Sequence, residues 1–189
     1  ENYKNKINRI RKILKSSKAD YIYISAPENV AWTLNIRGSD NPNSPIPNCR
    51  LIIGKTKEIF LITQKQKASE IIKERKISIK QIINPNKFKD LIGKIKGKKF
   101  IIDSLSCSIL NEKIIESKFK IINKNDPCYR LKSIKNPSEI KHMINAHIED
   151  GVALTKFIYW MKNINKNKIT ELDSQKKLEK FRKLNKNYL

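Results

Sequence analysis

Between residues 20 and 124, short β-branched runs alternate with amphipathic stretches, and this alternation narrows the fold more than any other feature of the chain. The runs are "DYIYIS" (20–25), "CRLIIG" (49–54), "EIFLIT" (58–63), "ISIKQII" (77–83), "KKFIIDS" (98–104) and "FKIINK" (119–124). Isoleucine-rich segments this short suit strands, whereas a helix needs a longer stretch to bury a stripe. Between them, "KASEIIKERK" (67–76), "NKFKDLIGKI" (86–95) and "CSILNEKIIESK" (107–118) carry apolar residues at helical spacing. "KTK" joins the second and third runs closely enough for a hairpin. Strands separated by helices predict an α/β sheet, mixed because of that hairpin.

Two helices precede the sheet's bulk. Residues 2–18 place Tyr3, Ile7, Ile10 and Leu14 on one face, and Pro27 starts a second helix through "ENVAWTLN". After residue 124 the texture changes. "NDPCYRLKSIKNPSE" (125–139) has two prolines and no clear period, and reads as a linker. Its end is a helix start, with Asn136 as N-cap, Pro137 at N1 and Glu139 reaching back as in a capping box. That helix is expected to run to Asn163, with Ile140, Ile144, Ile148 and Val152 on one row. Thr170 with Asp173 starts another, "ITELDSQKKLEKFRKL". The division expected is an α/β domain over 1–132 and a helical piece over 133–189.

The formal charge of +23 raises the question of nucleic acid. Lysine is spread along the whole chain and accompanies an excess of asparagine and isoleucine, the joint enrichment that A/T-rich codons produce. No RNA-binding, zinc-finger or helix-turn-helix pattern goes with it, so a specific nucleic-acid partner is not expected; a basic nucleic-acid-binding or interaction module is the alternative reading. Cys49, Cys107 and Cys128 form no C-x-x-C pair, which speaks against a zinc site or a disulfide framework and for reduced, cytoplasmic thiols. No run approaches the ~20 apolar residues of a membrane span. The charged start at Glu1 lacks the apolar region of a secretory signal and reads as the start of a piece of something longer.

Catalysis needs convergent groups, and here they are scarce. His142 and His147 lie five apart on one expected helix, so they face different sides and do not chelate one ion. Asp103, alone at a strand end, reads as a cap. No nucleophile elbow, P-loop or dinucleotide fingerprint is present. The catalytic and metal-ligand sets are both expected to be none. In "WTLNIRGSDNP" (32–42), Gly38 is expected to supply a positive-φ turn, Ser39 and Asp40 to bond local backbone, and Pro42 to stiffen the exit.

That loop also carries a resemblance. "ENVAWTLNIRGSDNPNSPI" is similar to a segment of the aminopeptidase P (Xaa-Pro aminopeptidase) family, within the creatinase/prolidase group, through Glu28, Ala31, Trp32, Leu34, Asn35, Arg37, Gly38, Ser39 and Asp40. "KSIKNPSEIKHMINAHIEDGVALTKFIYWM" resembles the start of that family's catalytic domain, through Lys135, Asn136, Glu139, Met143, Ala146, His147, Asp150 and Val152 to Leu154. "ITELDSQKKLEKFR" resembles the segment that follows, and the three occur in the family's order.

The resemblance implies a creatinase/prolidase N-terminal-type α/β domain followed by the first two helices of a pita-bread catalytic domain. It implies peptide hydrolysis before proline, using two divalent metal ions, usually manganese, whose aspartate, histidine and glutamate ligands lie beyond residue 189. The chain alone is then expected to be inactive and to hold no cofactor. The whole enzyme is expected to be a cytoplasmic homodimer acting on short proline-containing peptides. Trp32, Arg37 and Asp40 are the candidates for shaping substrate access; the competing reading makes Trp32 core and pairs Arg37 with Asp40.

Overall fold

The computed structural model describes residues 1–42, 44–74, 76–165 and 168–188. Asn43 of the proline loop and Arg75 of the expected third helix lie outside the described residues. The chain divides into two compact units, Glu1–Ile134 and Lys135–Leu189.

In the first unit, α1 (Tyr3–Ser16) starts at Asn2, whose side chain accepts the Lys4 N–H, and it buries Ile7, Ile10 and Leu14. β1 (Tyr21–Ile24) then leads into α2 (Pro27–Leu34), with proline in its first turn. β2 (Arg50–Gly54) and β3 (Ile59–Ile62) form the expected hairpin. α3 (Ser69–Lys73) follows, then β4 (Ile82–Ile83), α4 (Phe88–Lys94), β5 (Lys99–Ile102), α5 (Ile109–Glu116), β6 (Lys120–Asn123) and α6 (Pro127–Ser133).

The six strands lie in the order β4-β3-β2-β1-β5-β6. β2 is antiparallel to both neighbours, while β1–β5, β5–β6 and β3–β4 are parallel, giving the mixed sheet expected from the hairpin. Because side chains alternate along a strand, β1 feeds two cores. Ile22 and Ile24 meet α1 and α2 residues on one face, and Tyr21 and Tyr23 meet Phe88, Leu91 and Ile92 of α4 on the other. Burial of each such side chain contributes roughly 1.5–3 kcal/mol.

Three expectations change. "ISIKQII" is a strand only at Ile82–Ile83, because Ser78 and Gln81 exchange capping bonds and wind Ile79–Gln81 into a 3-10 turn. The third helix is shorter than "KASEIIKERK", since Lys65–Ala68 is also a 3-10 turn and α3 ends at Lys73. The segment from 125 is no linker. Asp126 accepts the Cys128 N–H, Pro127 occupies N1, and α6 runs to Ser133 with Cys128 fully buried.

The second unit consists of α7 (Pro137–Asn163) and α8 (Glu171–Arg182), each opened by a capping box, Asn136 with Glu139 and Thr170 with Asp173. Arg182 forks onto Asp150 at 2.7 and 3.3 Å, and the Ser174 hydroxyl reaches Met161 Sδ, so the helices lie antiparallel. Ala153 is the only buried residue of α7, and the row Ile140, Ile144, Ile148 and Val152 is exposed.

Candidate functional site

In doubly wound sheets, ligands bind at the carboxyl edge, where successive connections leave for opposite faces. Here that point lies between β1, which feeds α2 on the first face, and β5, which feeds α5 on the second. The chain's own side chains close it. The Ser25 and Ser106 hydroxyls hydrogen-bond at 2.6 Å. Asp103, buried, accepts the Leu105 N–H at 3.0 Å and the Asp126 N–H at 2.8 Å. Asp103 therefore organises the turn after β5 and the start of α6, while α5 takes its cap from Ser108.

The connection from α2 to β2 passes over the same edge. α2 ends with Asn35 in the left-handed region (φ 51°), and the Ile36 N–H returns to the Ala31 carbonyl at 3.0 Å. Lys6, buried on α1, donates to the Trp32 carbonyl at 2.7 Å and to Asn35 Oδ1, placing a cation where the helix dipole ends negative. The same ammonium sits 4.4 Å from the Trp32 ring centroid, and the half-buried ring packs against the first core.

Gly38 departs from the sequence expectation: no described glycine has positive φ. Its requirement is steric. A Cβ there would lie 2.6 Å from Pro47 Cβ, while the Gly38 N–H donates to the Pro45 carbonyl at 3.1 Å. Asp40 closes the far side of the loop. It accepts the Asn48 N–H at 2.7 Å and an ion pair from Lys67, and these two bonds hold its carboxyl below the usual range. Asp40 thus pairs with Lys67 and not with Arg37, whose exposed guanidinium turns back to the Ile36 carbonyl at 3.0 Å.

Beneath the loop lies a cavity of about 280 Å³, lined by Arg37, Gly38, Asp40, Pro47, Thr63 and Lys67 among others. The structure brings Arg37 and Asp40 together on this wall and leaves Trp32 outside it. Lys67, missed from the sequence, is the charge that holds the loop down. Nothing in a run of alternating Lys and Gln singles it out; only the fold places it beside Asp40.

Among the described residues, no three His, Cys, Asp or Glu side chains gather as a metal site. His142 and His147 are exposed on α7. The three cysteines are free and buried; burial pushes the Cys49 thiol up to about 12 and Cys107 up to about 11, which makes them poor nucleophiles. No described helix is long and apolar enough to cross a membrane.

The comparison with known proteins is consistent across sequence and fold. A family model described as the Creatinase/Prolidase N-terminal domain matches residues 1–139. Xaa-Pro aminopeptidase 1 of Dictyostelium discoideum is 33% identical over 186 residues, which are 94% of this chain and 29% of that protein. Xaa-Pro aminopeptidase ApepP of Drosophila melanogaster is 32% identical over 187 residues, 95% of this chain and 30% of its own length. The chain therefore spans about a third or less of the curated relatives it matches. In fold, it superposes with a TM-score of 0.82 and 22% identity on the crystal structure of X-prolyl aminopeptidase from Caenorhabditis elegans, described as a cytosolic enzyme with a di-nuclear active site. That match covers 100% of this chain and 32% of the other. Xaa-Pro dipeptidase from Bacillus anthracis gives 0.69 at 18% identity, over 97% of this chain and 49% of that one.

Proposed function

The chain belongs to the Creatinase/Prolidase N-terminal domain family, and on that premise we propose that it is a noncatalytic portion of a metal-dependent Xaa-Pro aminopeptidase. The supporting observation is the pattern of coverage: nearly the whole chain matches Xaa-Pro aminopeptidases that are about three times longer. Two bridged metal ions require several converging carboxylates, and no such group occurs among the described residues. The proposed division places the α/β domain at 1–132 and the opening helices of the catalytic domain at 133–189. In the whole protein the substrates are short proline-containing peptides, the metals two divalent ions of which manganese is the expected kind, the assembly a homodimer and the compartment the cytoplasm.

Within that enzyme, Trp32, Arg37 and Asp40 belong to the surface that limits access to the active site. Arg37 is the member with an exposed charge that does not close an ion pair within its loop. The test is Arg37→Ala in the complete enzyme. A several-fold loss of kcat/KM with unchanged unfolding midpoint supports the role; lower stability with unchanged kcat/KM assigns the residue to the loop's structure instead. Manganese-dependent release of the first residue of an Xaa-Pro peptide by the 189-residue chain alone would overturn the noncatalytic assignment.

A further inference from the structure

A second cavity opens at the carboxyl edge on the side of the second core, with a volume of about 280 Å³. Its walls include Tyr23, Arg50, Lys67, Pro85, Phe88 and Asn111. Arg50 begins β2 and is half-buried. Its Nη1 donates to Asn48 Oδ1 at 3.0 Å and to the Cys49 carbonyl at 2.9 Å, so two neutral acceptors fix the guanidinium plane. Its Nη2 and Nε have no acceptor, and the group has no carboxylate partner, among the described residues. A half-buried guanidinium held by neutral groups retains the capacity to bind one anion in its fork.

Beside it, Tyr23 is 2% exposed, and its hydroxyl accepts from Asn111 Nδ2 at 2.9 Å. Accepting that bond orients the hydroxyl and leaves its own proton for an acceptor. Lys67 lines this cavity as well as the one beneath the "RGSD" loop. Pro85 and the ring of Phe88 supply an apolar wall, and Phe88 is tilted against Tyr23 at 5.3 Å between centroids. Lys67 is committed to Asp40, so Arg50 and an oriented hydroxyl facing an apolar wall make the site for one end of an amphipathic ligand.

We propose that this cavity binds a small organic carboxylate, with Arg50 and the Tyr23 hydroxyl taking the carboxylate and Phe88 with Pro85 taking the apolar body. The carboxylate is favoured over a phosphate by charge: among the described lining residues Arg50 is the cation without an ion pair, since Lys67 is committed to Asp40, and one guanidinium fork matches a single negative charge. The binding groups Arg50, Tyr23, Phe88 and Pro85 include none of Trp32, Arg37 or Asp40, and Lys67, which borders both cavities, takes no part in the binding, so the assignment is tested separately from the access surface proposed above.

Benzoate is the probe, because its planar ring and single carboxylate match the two walls; benzamide keeps the shape without the charge. Amide and side-chain NMR of the 189-residue chain is titrated with benzoate, benzamide and inorganic phosphate. The expected result is saturable benzoate shifts centred on Tyr23, Arg50 and Phe88, with binding at least about tenfold weaker for benzamide and for phosphate. Arg50→Gln weakens benzoate by about tenfold or more, and Tyr23→Phe, which keeps the ring in the core, weakens it several-fold. Absence of saturable shifts, shifts dispersed over surface lysines, phosphate binding equal to benzoate, or benzoate affinity unaltered in Tyr23→Phe overturns the assignment. The Tyr23→Phe and benzamide arms decide the outcome even where Arg50→Gln perturbs the fold.

Discussion

At the scale of single residues, what matters is what each side chain leaves room for or holds in place. The sequence around Gly38 suggests a turn of unusual φ, and the structure assigns the glycine a different constraint: the Pro47 ring occupies the space of a Cβ. Contact with backbone and ring atoms at 2.6 Å does not relax by a rotamer change, so Gly38→Ala is expected to cost about 1–3 kcal/mol, measured by urea unfolding. The sequence shows that a glycine and prolines share this loop, and three-dimensional approach decides why. Asp20 shows the same limit. It precedes β1 as one more polar residue, yet its carboxylate accepts the Lys98 and Lys99 N–H groups at 2.7 and 3.0 Å and pairs with Lys55. Burial alone would raise its pKa, but the Lys55 ammonium and the two N–H bonds win and bring it to about 2. Its folded value lies below the ordinary 3.8, so its contribution is complete above pH 3.8 and is lost as pH falls toward 2. Replacing Asp20 by Asn is expected to flatten stability across that window, measured as urea midpoints from pH 5 to 2.

At the scale of elements, the capping grammar was legible where it stood before a periodic helix and missed where it stood before a short one. "KNPSE" correctly marked the start of α7, and "NDP" carries the same signal, an N-cap followed by proline, at the start of α6. Seven residues give too little periodicity to outweigh two prolines, so the segment read as a linker. What fixes α6 is burial and polar pairing on α2. Asn29 Nδ2 donates to Asp126 Oδ2 at 2.7 Å, and the Thr33 hydroxyl lies 3.4 Å from Cys128 Sγ. This junction has an imbalance: Asn29 Oδ1 is buried with no partner among the described residues, and burial raises the Asp126 pKa despite the bonds from the Cys128 N–H and Asn29 Nδ2. A folded pKa raised above the unfolded one gives stability that is present at acid pH and declines as pH rises through the folded value. Asp126→Asn preserves the N-cap and removes the buried charge, and its amide bonds Asn29 once the Asn29 amide rotates, so one buried amide atom of Asn29 stays unmatched and the gain comes from the lost charge. It is expected to raise stability at pH 7 by about 1 kcal/mol, whereas Asp126→Ala, which removes the cap as well, lowers it; denaturant midpoints of the two variants give the comparison.

At the scale of the whole molecule, burial is distributed very unevenly along the chain. The six-stranded sheet has two cores, and β1, β2 and β5 bury nearly every residue they contain. In the second unit, a 27-residue helix buries one alanine and α8 buries nothing. The sequence conveyed this much in outline. The isoleucine row on α7 was visible as a helical stripe, because periodicity reports amphipathicity; it does not report whether a partner surface exists. Helices with so little burial rest on their capping boxes, the Arg182–Asp150 fork and intrinsic propensity, which together give marginal stability. Opening free energy is set by the apolar contacts that opening exposes, so the two units are expected to differ widely in local stability. Hydrogen exchange followed by mass spectrometry on the 189-residue chain should show β1 and β5 protected longest and peptides from 140–160 and 171–182 exchanging at least about a hundredfold faster. Equal protection in both regions at low protein concentration would show that the exposed isoleucine row is covered in solution. If that protection appeared only as concentration rose, the cover would be a second copy of the chain, since self-association stabilises by mass action.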